Sequence, residues 1–205
     1  MTDPAPSHFW DTSYAIDGYK YGLQPNAFLV EQAAHLPPGA RVVLPGDGEG
    51  RNGVWLARQG HAVSSLDGSA VGLSKARALA AAHGVELETG HLDLAEWSPS
   101  PCSADAVVLT YVHLPPPLRR QVHRQAAQAL RPGGRLILEA FHPDQLGRSS
   151  GGPKDDALLY RLETLRADFA GYLAEIVGWE GEVELNEGPG HRGLARVTRW
   201  VGVAA

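Results

Sequence analysis

A glycine-rich turn follows the first apolar run of the chain, and an aspartate ends the second run. The glycines begin at Gly46 and end at Gly53, and Asp67 closes the run that starts at Ala62. Glycines allow a backbone to approach a ligand closely, and the helix that follows offers free N–H groups. A carboxylate at the end of a second strand can accept hydrogen bonds from ribose hydroxyls. Together these features indicate a nucleotide-binding site.

The spacing of the glycines fits two cofactors. Gly46, Gly48 and Gly50 form the Gly-x-Gly-x-Gly pattern that is common in S-adenosylmethionine sites. Gly48, Gly50 and Gly53 form the Gly-x-Gly-x-x-Gly fingerprint of dinucleotide-binding sites. Spacing alone therefore leaves S-adenosylmethionine and a nicotinamide cofactor both open.

Other residues near this turn are candidate cofactor ligands. Asp93 could accept a hydrogen bond from an adenine amino group while the N–H of Leu94 contacts the ring, or it could cap a helix. Asp67 could instead belong to an ordinary turn, because the residues after it suit one. Arg51 could pair with a methionine carboxylate or an acid in the loop, or lie on the surface. The predicted cofactor-binding set is Gly46, Asp47, Gly48, Gly50, Arg51, Asn52, Asp67, Gly68, Ser69, Asp93, Leu94 and Tyr111.

Histidines and arginines near the ends of the later strands are the candidate catalytic residues. His113 and His142 follow the fourth and fifth strands, where α/β proteins bind ligands, and could take up a proton or simply line the pocket. In the last strand, alternation places His191 and Arg199 on one face and Arg192 on the other. Such a cluster would favour an anionic substrate, whereas the alternative is an edge strand protected by charge.

Length and composition are those of one globular domain. The chain has 205 residues, of which 43% are hydrophobic and 20% charged. Its net charge of −5 argues against nucleic acid or an anionic membrane as a partner. Cys102 is the single cysteine, and no signal peptide or bilayer-spanning run is evident. We expect a cytoplasmic protein, and no metal site because no Cys/His cluster has the spacing of metal ligands.

Short apolar runs alternate with helical patterns from residue 41 onward, which is typical of a parallel sheet wound with helices. Two final β-rich runs, separated by turn residues, predict a hairpin. We therefore predict one domain, residues 1–205, with a cap or lid segment at 1–38 and a core at 39–205. The expected fold is α/β, a Rossmann-like seven-stranded, mostly parallel sheet with a C-terminal antiparallel hairpin and helices on both faces. The predicted strands are residues 41–44, 62–66, 85–89, 104–110, 135–141, 172–185 and 191–203.

Short strings along most of the chain form a recognisable pattern. They are Phe9-Trp10-Asp11 with Tyr14, Tyr21-Gly22-x-x-Pro25-Asn26-x-Phe28-Leu29, Gly48-Glu49-Gly50-Arg51-Asn52, Leu66-Asp67-x-Ser69, Asp93-Leu94, Leu130-Arg131-Pro132-Gly133-Gly134 and Phe141-His142-Pro143-Asp144-Gln145-Leu146. With these strings the chain resembles small bacterial class I S-adenosylmethionine-dependent methyltransferases. The resemblance is to the branch that includes the tellurite-resistance methyltransferases.

This resemblance implies S-adenosylmethionine as the cofactor and methyl transfer to a small molecule. A thiol, a chalcogen oxyanion or a similar small nucleophile is the implied acceptor, and the protein is expected to be a monomer or a homodimer. In the tellurite-resistance branch, residues that match His191, Arg192 and Arg199 lie near the acceptor. Two alternatives remain open, a non-catalytic nucleoside-binding protein and a nicotinamide-dependent oxidoreductase.

The chain departs from this family at the end of its first strand. The family usually has an acid two residues before the first glycine of the turn, where this chain has Leu44. In the family that acid helps to orient the methionine end of the cofactor. The departure implies either weaker binding, or replacement by Asp47 or Glu49, or a protein that has lost catalysis.

Overall fold

The computed structural model describes residues 6–205. The strands are β1 Arg41–Pro45, β2 Ala62–Asp67, β3 Glu88–His91, β4 Ala104–Thr110, β5 Leu130–Phe141, β6 Leu173–Gly188 and β7 His191–Ala204. The helices are α1 Pro6–Tyr14, α2 Ala27–Ala33, α3 Arg51–Arg58, α4 Ala70–His83, α5 Pro116–Ala129 and α6 Leu162–Phe169, with 3₁₀ turns at Pro143–Gln145 and Asp156–Leu158.

All seven strands form one sheet in the order β3-β2-β1-β4-β5-β7-β6. Strands β1 to β5 pair in parallel, and β7 is antiparallel to both β5 and β6. Helices cover both faces of the sheet. Leu138 of β5 shares one buried cluster with Val122 of α5, whereas Leu44 of β1 shares another with Phe28 of α2 and Leu56 of α3. The predicted Rossmann-like fold with a C-terminal hairpin is confirmed.

Local sequence signals set the ends of the helices that flank the sheet. Ser69 accepts a hydrogen bond from the N–H of Gly72 and so caps α4, and Gly84 ends that helix in the left-handed conformation at φ 65°. Prolines at the start of α5 occupy positions where a missing N–H costs nothing. These signals place the start of α4 directly behind Asp67.

The third strand lies closer to the C-terminus than residues 85–89, where the sequence predicts it. Strand β3 begins at Glu88, because the preceding apolar residues serve the helices instead of the sheet. The N–H of Val85 donates to the carbonyl of Ala80 at 3.1 Å and closes the end of α4. Leu87 packs in the cluster that joins α3 and α4. An apolar run of four or five residues cannot show which of these uses applies.

The hairpin has β7 inside the sheet and β6 at its edge. The alternative prediction of a charged edge strand at residues 191–203 is therefore wrong. Val197 and Val201 of β7 are fully buried between neighbouring strands. The edge strand β6 instead carries Glu180, Glu182 and Glu184 at alternate positions, and such charges discourage pairing with another sheet edge.

The segment before β1 contacts both the sheet and the hairpin turn. The N–H of Gly190 donates to the carbonyl of Lys20 at 2.9 Å. A Cβ atom on Gly22 would lie 1.8 Å from the carbonyl oxygen of Glu187, so this approach requires glycine. The N-terminal segment and the hairpin turn thus close over the same end of the sheet. No helix within residues 6–205 has the length and apolar character needed to cross a bilayer.

Candidate functional site

The glycine turn joins β1 to α3 and is fixed against β2. The N–H of Gly46 donates to the carbonyl of Leu66 at 2.7 Å. Gly46, Gly48 and Gly50 have φ values of 78°, 60° and 84°, which favour glycine. Gly50 is the N-cap of α3 and provides no side-chain cap.

Asp67 ends β2 beside this turn, as the sequence predicts. Its Oδ2 accepts from the N–H of Gly48 and its Oδ1 from the N–H of Ser69, each at 2.8 Å. Burial raises the pKa of Asp67, while these two hydrogen bonds act in the opposite direction. Gly68 and Ser69 complete the connection to α4, and the hydroxyl of Ser69 donates to Asp11 of α1 at 2.6 Å. Asp67 therefore bridges the turn and the start of α4.

Aromatic residues of the N-terminal segment cover the turn. Tyr14 is buried, and a Cβ atom on Gly48 would lie 2.5 Å from its hydroxyl oxygen. Trp10 stacks on Tyr14 with ring centroids 5.4 Å apart, and Tyr21 meets Tyr14 edge-on at 6.4 Å. Burial raises the pKa of Tyr14 well above its ordinary value, so its hydroxyl remains neutral. Because Gly48 has no side chain, Tyr14 can pack directly on the turn.

Asp93 follows β3 and is exposed. Its Oδ1 accepts from the N–H of Ala95 at 2.9 Å, and residues 94–96 form a turn in place of the predicted helix. Leu94 packs against the core under β4. The N–H of Leu92 donates to the carbonyl of Asp67 at 3.1 Å, which keeps this loop beside the end of β2. An adenine-binding role for Asp93 and Leu94 stays a prediction.

Tyr111, directly after β4, has a strained backbone. Its φ of 56° is in the left-handed region, which a bulky residue rarely adopts. The N–H donates to the carbonyl of Glu139 at 2.8 Å, and the hydroxyl donates to the Glu139 carboxylate at 2.5 Å. Its ring lies against Phe141 and His191, with centroids 4.6 and 4.4 Å apart. Residues of β4, β5 and β7 thus hold Tyr111 at the carboxyl end of the sheet.

Two buried glutamates neutralise the arginines of the site. Arg51 pairs with Glu187 of β6 at 2.8 Å. It therefore does not pair with an acid of the glycine turn, and it does not lie on the surface, which are two of the predicted alternatives. Arg199 pairs with the buried Glu139. Asn26 donates to both glutamates, at 2.8 and 3.0 Å, and joins α2 to the two strands. Each of these two arginines is thus neutralised by a carboxylate.

The structure does not bring His191, Arg192 and Arg199 together in one cluster. Arg192 is exposed on β7, as strand alternation predicts for that position. Arg199 lies between the rings of Phe28 and Trp179, at 5.0 and 5.4 Å from their centroids. An anionic acceptor would require unpaired cations, whereas buried carboxylates lie beside His191 and Arg199.

His191 lies among aromatic rings at the centre of the site. Its Nδ1 is 3.2 Å from the Glu187 carboxylate, and the rings of Tyr21 and Tyr111 are each centred 4.4 Å from the imidazole. Burial lowers the pKa of His191, although Glu187 raises it, and the net effect is a lowered value. The imidazole is therefore neutral at neutral pH.

The other two histidines have different surroundings. Burial lowers the pKa of His113 to about 4, and its Nδ1 lies 2.6 Å from the carbonyl of Leu158. The loop that carries His113 is held by Tyr160, whose hydroxyl donates to the carbonyl of Val112 at 3.1 Å. His142 instead accepts from the N–H of Asp144 at 3.0 Å and caps a 3₁₀ turn, away from the aromatic rings around His191.

Three residues of the site were not among the sequence candidates: Asn26, Glu139 and Glu187. Asn26 lies within one of the family-like strings, so a signal for it was present. Glu139 interrupts the apolar run 136–141 near the end of β5, and such an interruption is a signal for a buried, partnered acid. Glu187 lies among turn residues, where an acid is ordinary, and nothing in the sequence distinguishes it.

Residues 42–134 match a family model described as a methyltransferase domain. This part of the chain contains the glycine turn, Asp67, Asp93 and Tyr111. No curated protein matches the chain by sequence.

Several solved structures share the fold. One, from work on the conversion of a disulfide bond into a thioacetal group during echinomycin biosynthesis, has a TM-score of 0.77 at 20% identity, covering 96% of this chain and 89% of that one. TehB from Haemophilus influenzae gives 0.70 at 16% identity, covering 97% and 67%. A SAM-dependent methyltransferase from Methanosarcina mazei gives 0.71 at 15% identity, covering 89% and 99%.

The domain match and the shared fold support a class I, S-adenosylmethionine-dependent methyltransferase. They support S-adenosylmethionine as the cofactor, in agreement with what the family resemblance implies. The likeness to TehB is one of fold, so membership of the tellurite-resistance branch stays a prediction.

Proposed function

We propose that this protein transfers a methyl group from S-adenosylmethionine to a small, uncharged nucleophile, with a thiol as the foremost candidate. The observation that carries this proposal is the position of Asp67 against the glycine turn, where its carboxylate accepts a hydrogen bond from the N–H of Gly48. A ribose could replace these backbone donors at the carboxylate. The methyltransferase match over residues 42–134 and the shared fold support the same conclusion.

The residues around the turn fit this cofactor. Side chains are excluded at Gly46 and Gly48, where a Cβ atom would lie 2.9 Å from Val112 and 2.5 Å from Tyr14. The side chains of Val112 and Tyr14 therefore pack directly on the backbone of the turn. We assign Asp67 to the ribose and the loop at Asp93 and Leu94 to the adenine. The other predicted cofactor residues, except Tyr111, belong to the glycine turn and its flanks. Trp10, Tyr14 and Tyr21 of the proposed lid would exclude water.

When bound, S-adenosylmethionine supplies a methyl group on a sulfonium with a good leaving group. The protein must therefore mainly align the acceptor and exclude water, and alignment of this kind is worth about 7 kcal/mol or more. The strained Tyr111 and the ring of Phe141 give the acceptor end of the site a rigid apolar wall. A thiol reacts as its thiolate, and the neutral His191 can take its proton, as it would from a hydroxyl or an amine.

Paired charges at the site favour an uncharged acceptor over an oxyanion. Arg51 and Arg199 are each neutralised by a buried glutamate, and His191 and His113 both have lowered pKa values. An anion would have to displace a buried carboxylate from its arginine. For this reason we rank chalcogen oxyanions below thiols.

Calorimetric titration with S-adenosylmethionine and its demethylated product tests this function. We expect binding with a dissociation constant in the micromolar range, on the order of −8 kcal/mol. Asp67→Ala should weaken it by about 100-fold, because hydrogen bonds to a charged group are worth about 1.5–3 kcal/mol each. The matched control is Asp156→Ala, at an exposed aspartate before α6, which should bind as wild type does. Absence of wild-type binding at millimolar ligand would overturn the proposal.

A further inference from the structure

Three carboxylates lie at the glycine turn, and they differ in their partners. Glu49 is ion-paired with Lys75 at 2.9 Å and also accepts from the N–H of Lys20. Asp67 accepts from two backbone N–H groups. Asp47 accepts from the hydroxyl of Ser65 at 2.7 Å and from the N–H of Gly53 at 3.4 Å. Asp47 thus makes its hydrogen bonds to neutral groups, and no salt bridge joins it to another described residue.

The space around Asp47 is shaped to this side chain. A Cβ atom on Gly53 would lie 2.4 Å from Asp47 Oδ2, so the third glycine of the dinucleotide-like pattern makes room for a carboxylate. Ser65 is fully buried on β2, two residues before Asp67, and Gly53 lies in the first turn of α3. The strand end itself carries Leu44, which is buried and apolar. Asp47 therefore ties the turn to β2 and α3 at once.

We propose that Asp47 is a positioning residue of the cofactor site, and that its ionisation is coupled to binding of the cofactor's positive charge. This inference rests on the proposed function. The carboxylate holds the middle of the glycine turn, and a cationic ligand on that turn favours the charged form.

Groups from every neighbouring element bear on the ionisation of Asp47. Burial raises its pKa to about 7, the hydrogen bonds from Ser65 and Gly53 lower it, and the negative charge of Asp67 raises it. Arg51 of α3 lowers it, but the charge of that arginine is taken by Glu187. Tyr14 faces Asp47 from α1 with a neutral hydroxyl. Asp47 thus changes charge near neutral pH.

The expected pH dependence follows from this pKa. About one tenth of Asp47 is ionised at pH 6 and about nine tenths at pH 8. S-adenosylmethionine carries a net charge of about +1 at neutral pH, whereas its demethylated product carries none. If the charged form of Asp47 binds the cofactor, affinity should rise about tenfold from pH 6 to pH 8. The product should show a shallower dependence.

Calorimetric titration of S-adenosylmethionine between pH 6 and pH 8 tests the coupling. Wild type should show the tenfold rise, and Asp47→Asn should bind with an affinity independent of pH over this range. At pH 7, titrations in phosphate and in Tris buffer should reveal release of about half a proton from wild type and none from the variant. In Ser65→Ala the midpoint of the pH dependence of affinity should lie at a higher pH than in wild type. The reason is that the hydrogen bond from Ser65 lowers the pKa of Asp47 in wild type and is absent from the variant.

The outcomes separate this inference from the proposed function. Binding by Asp47→Asn with the wild-type pH dependence would overturn the inference and leave the methyltransferase proposal intact. An equal dependence for cofactor and product would likewise overturn the coupling to positive charge. Should Asp47→Asn fail to fold, the midpoint in Ser65→Ala decides, and an unchanged midpoint overturns the inference. Failure of wild type to bind at any pH would overturn both.

Discussion

The imidazole of His191 and the carboxylate of Glu187 form a pair that resembles the base and orienting acid of many enzymes. Nδ1 of His191 lies 3.2 Å from Glu187 Oε2, and Arg51 and Asn26 hold the carboxylate from the other side. Burial raises the pKa of Glu187, but its hydrogen bond with His191 and the charge of Arg51 bring the pKa below its ordinary value. A carboxylate fixed in this way orients the ring and favours the proton on Nδ1.

Replacing Glu187 by glutamine should change the titration of His191. The carboxylate raises the pKa of His191, and Arg51, which lowers it, would lose its partner. We expect the imidazole of Glu187→Gln to stay neutral to a lower pH than in wild type, as measured by nitrogen and proton chemical shifts of the ring. Glu184→Gln, at an exposed glutamate on the same strand, is the control and should leave the titration unchanged. A wild-type imidazole protonated on Nε2 alone would contradict the assigned orientation.

Separation along the chain explains which site residues the sequence could indicate. Gly46, Gly48 and Asp67 are visible because one turn and the strand after it bring them together. Asn26 bonds Glu139 across 113 positions, and Arg51 bonds Glu187 across 136. No local pattern indicates such a pairing, so the sequence does not identify Glu187 and Glu139 as the partners of Arg51 and Arg199.

At the scale of elements, the ion pair of Arg51 and Glu187 fastens α3 to the hairpin. Both side chains are less than a tenth exposed. Removing one partner leaves a buried charge without compensation, which costs about 3–5 kcal/mol. The pair therefore makes the start of α3, and with it the glycine turn, depend on the hairpin.

We expect Arg51→Ala to lower the free energy of unfolding by about 3 kcal/mol or more, as measured by urea denaturation. Arg58→Ala, at an exposed position of the same helix, should change it by less than about 0.5 kcal/mol. Replacing both partners with apolar residues should restore part of the loss, because no buried charge then remains unpaired. Equal effects of the two alanine variants would show that the pair does not fasten the hairpin.

A helix or strand can be predicted from the sequence where its apolar pattern fits only one structure. Alternation and turn residues predict the C-terminal hairpin, and β7 has the apolar residues of an inner strand. The displaced β3 shows the opposite case, because Val85 and Leu87 suit a strand but close α4 and pack between helices. Packing of neighbouring elements, which periodicity does not contain, decides between these uses.

At the scale of the molecule, the candidate site joins parts of the chain that are distant in sequence. The N-terminal segment contributes Tyr14 and Asn26, the sheet contributes Asp67 and Tyr111, and the hairpin contributes His191. Ligand binding at this meeting point should stabilise the whole fold, because unfolding of any one part removes the site.

Thermal unfolding with added ligand tests this coupling and the identity of the cofactor together. At 100 times its dissociation constant, S-adenosylmethionine should stabilise the fold by about 2.7 kcal/mol, which raises Tm by about 5–10 °C in a protein of this size. Asp67→Ala should lose most of this rise at the same ligand concentration. Reduced nicotinamide cofactor should leave Tm unchanged, because the space at Gly53 is filled by the carboxylate of Asp47 and is closed to a ligand. If only the nicotinamide cofactor raised Tm, the glycine turn would be a dinucleotide-binding site and the protein an oxidoreductase.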